Sequence, residues 1–333
     1  MIVTAKELTK KYKIPRRKPG IINSLKSVIH REYDDVLALN KVSFQIDEGE
    51  LVGYIGPNGA GKSTTIKILS GILTPTSGEC KVLGKIPYKD RINYVRDIGV
   101  VFGQRTQLWW DLPVVDSFEL LKDIYKIPLK TYLKNKDELI EWLDLKTFLN
   151  TPVRQLSLGQ KMRCELAASL LHSPKILFLD EPTIGLDAVS KLAVREFIKK
   201  INKERGVTVI LTTHDMDDIE TLCNRVIVIG KGEIVLDGPL KSLRDAVSKK
   251  RRLILEIEEG DNGFDIKGAT LVNKDRNRLT IDFDPDIITP ADLISTLSTT
   301  YKIKDILIEN PPIEEIIAKL YGRLNIWGLI YLL

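Results

Sequence analysis

The chain has 333 residues, of which 43% are hydrophobic and 29% are charged. This composition is typical of a globular protein with one large domain and a smaller one, or with two domains. No apolar run reaches the roughly 18–20 residues that span a bilayer, and the apolar tail at 323–333 is too short to do so. The three cysteines form no CxxC pair, which argues against a zinc site or a disulfide framework.

The positive charge is concentrated at the N-terminus. Residues 1–35 contain nine Lys and Arg against four Asp and Glu, and 9 − 4 = +5 equals the net charge of the whole chain. Nucleic acid, a membrane surface or an acidic partner would suit such a basic arm, and a solvated surface element has the same pattern. The charge alone leaves these alternatives open.

The first 245 residues alternate between strand and helix patterns. A strand is predicted over TAKELTKKY, and a basic insert follows at about 14–35, where Ile21, Leu25 and Ile29 recur at helical spacing. KVSFQID alternates as a half-exposed strand does, and the apolar run in EGELVGYIG indicates a strand buried on both faces. Helical patterns dominate about 105–172, before two more buried strands, KILFLDE and VTVILTTH, and a hairpin, VIVIGKGEIVLDG. The sequence predicts an α/β domain with a helical insertion.

The pattern changes after the polar, basic stretch AVSKKRR. LILEIEE, ATLVNK and RLTIDFD read as short strands, and Thr289 followed by Pro290 predicts the start of a helix. KIKDILIE is a further strand, and Asn310 with Pro311 is expected to cap a last helix that ends near Tyr321. Residues 246–322 are therefore predicted to form a small α+β domain without a catalytic motif.

The strongest motif is GPNGAGKST, which matches GxxxxGK[ST] between a buried strand and a predicted helix. Its glycines allow the backbone N–H groups to surround phosphates, and the helix N-terminus adds a positive dipole end. Lys62 is expected to reach the β- and γ-phosphates, and Ser63 to bind Mg²⁺. The residues assigned to nucleotide binding here are Gly56, Pro57, Asn58, Gly59, Ala60, Gly61, Lys62, Ser63 and Thr64.

Acidic and polar residues follow the other buried strands. Asp180, at the end of ILFLDE, is expected to hold Mg²⁺ through water, and Glu181 to polarise a water for attack on the γ-phosphate. His214 ends a neighbouring strand, at the edge where open α/β sheets bind ligands, and is a candidate contact to the γ-phosphate. Gln104, between the core and the helical region, is a candidate for sensing Mg²⁺ and water.

Two aromatic residues follow Gln104 closely. Trp109 and Trp110 fit either a core position or an anchor for another protein, because amphipathic rings on a junction loop serve both purposes.

A second segment is suited to phosphate, although the chain has one phosphate loop. LSLGQKMRCEL at 156–166 places Ser157, Gly159 and Gln160 at the start of a predicted helix. A helix N-terminus is an anion site, so one chain offers two half-sites that two chains could complete across a two-fold axis.

With these elements in this order, residues 1–240 resemble the nucleotide-binding subunit of an ABC transporter. The resemblance rests on GPNGAGKST, the loop of Gln104, LSLGQ in the position of the LSGGQ signature, ILFLDE, GLDA with Asp187 in the D-loop, and His214. Leu158 replaces a glycine of the usual signature, while Ser157 and Gly159 are retained. The insert, the phrase QLWWDLP and the C-terminal α+β domain resemble the ABC-2 exporter branch of daunorubicin-resistance-type ATPases.

The resemblance implies a P-loop ATPase core that binds ATP and Mg²⁺, with Ser63, Gln104 and Asp180 serving the metal. It implies that Glu181 and His214 are catalytic and that Ser157, Leu158, Gly159 and Gln160 act on the ATP of a second subunit, most simply an identical chain. An aromatic residue is expected to stack on adenine: Tyr12 fits, and Tyr33, which closes the same insert, is the alternative.

The resemblance also implies partners and a location. The expected partners are a second ATP-binding subunit and integral membrane permease subunits, at the cytoplasmic face of the cell membrane, with no nucleic acid. A soluble ABC ATPase with a regulatory, assembly or nucleic-acid-linked role is the alternative function.

Overall fold

The computed structural model describes residues 1–15, 33–103, 105–242, 249–258 and 264–323. Within these ranges the chain divides between Pro239 and Leu240 into two compact units. The boundary predicted at 245/246 falls in residues 243–248, outside the described ranges, as do residues 16–32 of the basic insert and most of the apolar tail. No helix in the described part is both long enough and apolar enough to cross a membrane.

The first unit contains a six-stranded sheet in the order β5-β6-β7-β3-β8-β9. Its strands are β3 (Leu51–Ile55), β5 (Ile98–Phe102), β6 (Ile176–Asp180), β7 (Thr208–Thr212), β8 (Arg225–Gly230) and β9 (Glu233–Pro239). Every pairing is parallel except that of β8 with β9. The central strands are buried on both faces, as their continuous apolar runs predict.

A three-stranded antiparallel sheet, in the order β2-β1-β4, packs its apolar face into the same core. Its strands are β1 (Val3–Pro15), β2 (Tyr33–Ile46) and β4 (Ser77–Val82). In β2, Val42, Phe44 and Ile46 are buried while the residues between them are exposed, which confirms the predicted alternation. The strand predicted over TAKELTKKY extends to Pro15, and pairs there with Tyr33, so β1 and β2 form a ribbon that continues into the basic insert.

Helices connect the strands of the first unit. They are α1 (Lys62–Leu69), α2 (Arg91–Tyr94), α3 (Val114–Tyr125), α4 (Leu129–Trp142), α5 (Leu158–Leu170), α6 (Ala188–Arg205) and α7 (Met216–Leu222). α3, α4 and α5 form the predicted helical insertion between β5 and β6. The parallel order places the ends of β3, β6 and β7 side by side, and therefore gathers the residues that follow these three strands.

The second unit is an α+β fold. Its antiparallel sheet has the order β11-β12-β10-β13, with β10 (Arg251–Ile257), β11 (Ala269–Asp275), β12 (Arg278–Phe283) and β13 (Ile303–Glu309). Helix α8 (Pro290–Thr300) is capped by Thr289 as predicted and packs Leu293 and Leu297 on the apolar face of the sheet. The last helix, α9 (Ile313–Arg323), begins later than the predicted cap at Asn310 and Pro311, because Pro312 supplies the first carbonyl acceptor of its opening turn.

Candidate functional site

The phosphate loop connects β3 to α1 and holds its lysine folded back over the loop. Lys62 is the first residue of α1 and is only 6% exposed. Its ammonium donates to the carbonyl oxygen of Gly56 at 2.7 Å and to that of Pro57 at 3.2 Å. Burial lowers the pKa of Lys62, and the negative charges of Glu181 and Asp180 partly offset this effect. The charges of these two carboxylates therefore favour the protonated form of Lys62, which burial disfavours.

Two glycines let the loop lie against neighbouring backbone. A Cβ at Gly56 would lie 2.4 Å from the carbonyl oxygen of Ile229 in β8. Gly61 has φ of +110°, and a Cβ there would lie 2.6 Å from the carbonyl oxygen of Ala38 in β2. The loop therefore sits between β2 and β8 with no room for a side chain at either position.

Oxygen ligands meet where β6 ends. Ser63 Oγ donates to Asp180 Oδ1 at 3.1 Å, and Thr212 Oγ1 donates to the same oxygen at 2.5 Å. A hydroxyl beside a carboxylate fits Mg²⁺, which prefers oxygen ligands and usually completes its shell with water and phosphate. In the described ranges no group of three or more His, Cys, Asp or Glu residues is placed to hold a metal, so an ion here would depend on such additional oxygens.

Glu181 adopts a strained backbone next to Asp180. Its φ of +56° lies in the left-handed region, which is uncommon for a residue with a side chain. Its N–H donates to the carbonyl oxygen of Thr212 at 2.9 Å. His214 Nδ1 lies 3.5 Å from Glu181 Oε1, and the imidazole is 57% exposed. The carboxylate and the imidazole therefore face the same space from two adjacent strands.

A cavity of about 660 Å³ opens in front of these groups. The predicted site residues Asn58, Ser63, Asp180, Glu181 and His214 all line it. The sequence motifs do not predict the other lining residues, which are Lys67, Ile72, Phe102, Gly103, Arg105 and Ile184. Gly103 and Arg105 are the neighbours of Gln104 in the sequence, and this proximity to a predicted site residue could have indicated that they line the cavity. Gln104 itself lies outside the described residues.

The segment 156–160 contains the N-terminus of α5. Ser157 caps α5: its Oγ accepts from the backbone N–H of Gln160 at 3.2 Å, and Gln160 Oε1 accepts from the N–H of Ser157 at 2.9 Å. Leu158 is 45% exposed, whereas a Cβ at Gly159 would lie 2.2 Å from Ser190 Oγ. None of the described residues that line the cavity belongs to 156–160. The chain thus has a capped, exposed helix N-terminus that is not part of the cavity next to its own phosphate loop.

Asp187 caps the helix that packs against this segment. Its carboxylate accepts from the backbone N–H of Ser190 at 2.9 Å and from Ser190 Oγ at 2.8 Å, and these hydrogen bonds lower the pKa of Asp187. The residue predicted for the D-loop therefore orients the serine that touches Gly159.

Both candidate adenine-stacking residues lie on the β1–β2 ribbon. Tyr12 is half-buried and pairs with Val36, two residues before the Ala38 carbonyl that contacts the phosphate loop. The ammonium of Lys10 lies 5.4 Å from the Tyr12 ring centroid. Tyr33 pairs with Pro15 and is 49% exposed. Tyr12 is closer along the ribbon to the phosphate loop.

The two tryptophans are exposed rather than buried in the core. Trp109 is 37% exposed and Trp110 is 54% exposed. The ammonium of Lys161, in α5, lies 5.2 Å from the Trp110 ring centroid. The junction loop is thereby attached to the helix that Ser157 begins.

Comparison with known proteins identifies the family. Residues 39–184 match the model of the family described as ABC transporter. An uncharacterized ABC transporter ATP-binding protein of Methanocaldococcus jannaschii, MJ1023, is 32% identical over 258 residues, which are 76% of this chain and 90% of that relative. The chain belongs to the family of ABC transporter ATP-binding proteins. It accordingly contains an ATP-binding cassette.

Other relatives of the cassette differ in total length. The probable multidrug ABC transporter ATP-binding protein YbhF of Escherichia coli is 35% identical over 245 residues, which are 73% of this chain and 38% of YbhF. The methionine import ATP-binding protein MetN 2 of Enterococcus faecalis is 38% identical over 207 residues, 61% of this chain and 60% of that protein. This chain thus spans less than two thirds of the length of both relatives.

Solved structures confirm the predicted fold class. An ATP-binding subunit of an ABC transporter shares the fold with a TM-score of 0.62 and 25% identity, over 74% of this chain and 93% of that one. The cassette MJ0796, in a dimeric post-hydrolysis state bound to ADP and Pi, has a TM-score of 0.58 and 30% identity, over 72% of this chain and 98% of its own.

Proposed function

We propose that the chain hydrolyses ATP as one of two cassettes that drive a membrane exporter of the ABC-2 type. The observation that carries this proposal is the division of phosphate-binding groups within one chain. Asn58 and Ser63 of the phosphate loop line one cavity with Asp180, Glu181 and His214, while the helix N-terminus at Ser157 is not part of its lining. Each chain therefore supplies half of one ATP site with its phosphate loop and half of a second ATP site with the helix N-terminus at Ser157.

Within one chain, different residues bind the phosphates, hold Mg²⁺ and activate the attacking water. The N–H groups of 56–64 and the ammonium of Lys62 bind the phosphates. Ser63, Asp180 and Gln104 are the proposed Mg²⁺ residues, and the ion, when bound, neutralises charge on the phosphates. Glu181 orients and polarises the attacking water, and His214, 3.5 Å from Glu181, contacts the γ-phosphate.

Between chains, the segment 156–160 completes the site. Ser157, Leu158, Gly159 and Gln160 cap the ATP held by the phosphate loop of a second chain in a head-to-tail dimer. The dimeric state of MJ0796 bound to ADP and Pi supports this arrangement. ATP favours the closed dimer because only the closed state has both half-sites on the γ-phosphate. Asp187 contributes through Ser190, which positions Gly159.

The partner in the membrane is inferred from the family. The helical insertion is proposed to pass the closure of the dimer to integral permease subunits, which would hold the chain at the cytoplasmic face of the cell membrane. The relatives include a probable multidrug protein and a methionine importer, so export rests on the resemblance of the insert, of QLWWDLP and of the second unit to the ABC-2 branch.

Mixing two inactive variants tests the composite site. Lys62→Ala removes the phosphate contact of one half-site. Ser157→Asp keeps a good helix cap but places a negative charge towards the phosphate, whereas Ser157→Asn, the matched control, caps without a charge. We expect each of the first two variants to be inactive alone. Their equimolar mixture should recover about a quarter of the parental ATPase rate, because half of the dimers contain one intact composite site.

Two outcomes would contradict the proposal. A mixture no more active than the separate variants would place Ser157 and Lys62 of the same chain in one site, rather than pairing Ser157 of one chain with Lys62 of the other. Equal loss of activity in Ser157→Asn and Ser157→Asp would assign the effect to the helix cap rather than to charge near phosphate.

A further inference from the structure

Asp218 is a fully buried carboxylate beside the site that the proposed chemistry does not use. It lies in α7, has 0% exposure and accepts three hydrogen bonds from side chains. The donors are Thr183 Oγ1, Thr213 Oγ1 at 3.0 Å and Arg195 Nε at 2.6 Å. A buried charge is tolerated only where such partners compensate for lost water. The three donors come from three different segments of the chain.

Two of these donors flank the proposed catalytic residues. Thr183 lies two positions after Glu181, and Thr213 immediately precedes His214. On its other side, the N–H of Glu181 is held by the carbonyl oxygen of Thr212. The strained backbone of Glu181 is thus fixed at both ends, and a strained conformation persists only when its surroundings determine it.

The third donor connects this arrangement to the helix that begins at Asp187. Arg195 lies in α6, is 8% exposed and also donates to Asp215 Oδ1 at 3.3 Å. Lys191, one turn earlier in α6, donates to Asp215 Oδ2 at 2.5 Å. The segment after β7 is therefore joined to α6 at two carboxylates, on the helix whose N-terminal turn contacts Gly159.

We propose that Asp218 is a positioning residue that sets the distance between Glu181 and His214 through Thr183 and Thr213, and that Arg195 transmits the position of α6 to this pair. Movement of α6, whose N-terminal turn contacts Gly159, then alters the alignment of the hydrolytic groups. This inference rests on the roles proposed above for Glu181 and His214.

Hydroxyl deletions test the proposal without removing the buried charge. Thr183→Val has nearly the same shape as the parent side chain, retains Asp218 with Arg195, and removes one positioning hydrogen bond. In the full chain we expect kcat for ATP to fall about 10- to 100-fold, since misplacement on the order of 1 Å has that effect. The KM for ATP should change little, because the phosphate loop is untouched. Thr183→Ser retains the hydroxyl and should keep the parental kcat.

A matched variant separates positioning from general stability. Asp282→Asn, in the second unit, weakens another buried pair, in which Arg252 Nε donates to Asp282 Oδ1 at 2.7 Å; Asp282 is 6% exposed, and neither residue lines the cavity. Asp218→Asn and Asp282→Asn should both lower the unfolding temperature, but only Asp218→Asn should lower kcat. If Asp218→Asn does not fold, the kcat values of Thr183→Val and Thr183→Ser decide whether the positioning contact matters.

The outcomes separate this inference from the function on which it rests. A parent chain without ATPase activity, or Glu181→Gln with parental activity, would overturn the proposed function and this inference with it. An active parent in which Thr183→Val retains kcat within about two-fold would overturn the inference alone, because loss of a positioning contact should exceed that margin.

Discussion

Gly103 follows β5 and allows its backbone to contact that of Glu181, which follows the neighbouring strand β6, so substitution of Gly103 should reduce catalysis. A Cβ at this position would lie 2.1 Å from the carbonyl oxygen of Glu181 and 3.0 Å from Ile184 Cγ2. Ordinary van der Waals contact begins at 3.4 Å. In Gly103→Ala the two backbones must therefore separate by about 1.3 Å, at the residue proposed to orient the attacking water.

Gly99, which lies within β5 itself, supplies a matched control. A Cβ at Gly99 would lie 2.6 Å from the carbonyl oxygen of Ser169 and 3.0 Å from Leu177 Cδ1, contacts that do not involve Glu181. Overpacking of this kind costs about 1–3 kcal/mol of stability, so both Gly103→Ala and Gly99→Ala should unfold at lower temperature. Only Gly103→Ala should lower kcat, by about 100-fold for a displacement near 1 Å.

The assay is steady-state ATP hydrolysis at a temperature where both variants are folded, with thermal unfolding measured on the same samples. Equal reductions of kcat in the two alanine variants would show that activity follows stability rather than the position of Glu181. Unchanged kcat in Gly103→Ala would show that the site accommodates the methyl group, and would refute the argument from close backbone contact.

Two further predictions concern the adenine site and a buried carboxylate. Tyr12→Ala should weaken ATP binding by about 10- to 100-fold, because it removes base stacking worth roughly 1–3 kcal/mol. Tyr33→Ala should leave ATP binding unchanged. Calorimetric titration with ATP measures both affinities, and weaker binding in Tyr33→Ala alone would assign the stacking to Tyr33. Glu165 in α5 is 3% exposed, and burial raises its pKa above the usual 4.5. Hydrogen bonds from Thr106 Oγ1 and from the N–H of Gln107 lower the pKa but only partly offset the effect of burial. Above pH 4.5 the folded protein retains this proton while the unfolded chain loses it, so ionisation of Glu165 lowers the free energy of unfolding as pH rises through the folded pKa. Glu165→Gln should therefore gain stability relative to the parent as pH increases in urea titrations, and a difference independent of pH would contradict this.

The strands that position the site were accessible from sequence because their signals are local. The apolar runs before Gly56, Asp180 and His214 predict buried parallel strands, and parallel strands place their carboxyl ends at one edge. The cap of α8 was equally accessible, since Thr289 and Pro290 form a two-residue signal. In each of these elements, the residues that determine the local structure lie within a few positions of one another in the sequence.

Other elements were missed because their patterns are weak or nonlocal. Strand β4 reads SGECKV, in which Cys80 and Val82 are the buried residues, too few to show an alternation. Helix α7 reads MDDIETL, and its most buried residues include the charged Asp218, which a pattern of apolar residues does not detect. Its partners Thr183 and Arg195 lie 35 and 23 residues away, so their meeting depends on the folded sheet. The left-handed backbone of Glu181 likewise results from contacts across β5, β6 and β7.

If this cassette acts on a membrane partner, that partner should co-purify with it from the membrane. The Glu181→Gln variant, which should retain ATP but not hydrolyse it, would be tagged and extracted from membranes of its host with ATP present, beside Lys62→Ala as a control impaired in ATP binding. Mass spectrometry would identify the proteins that co-purify. We predict a polytopic membrane protein in stoichiometric amount with Glu181→Gln; recovery of the chain alone, or with ribosomes or DNA, would contradict the transporter assignment.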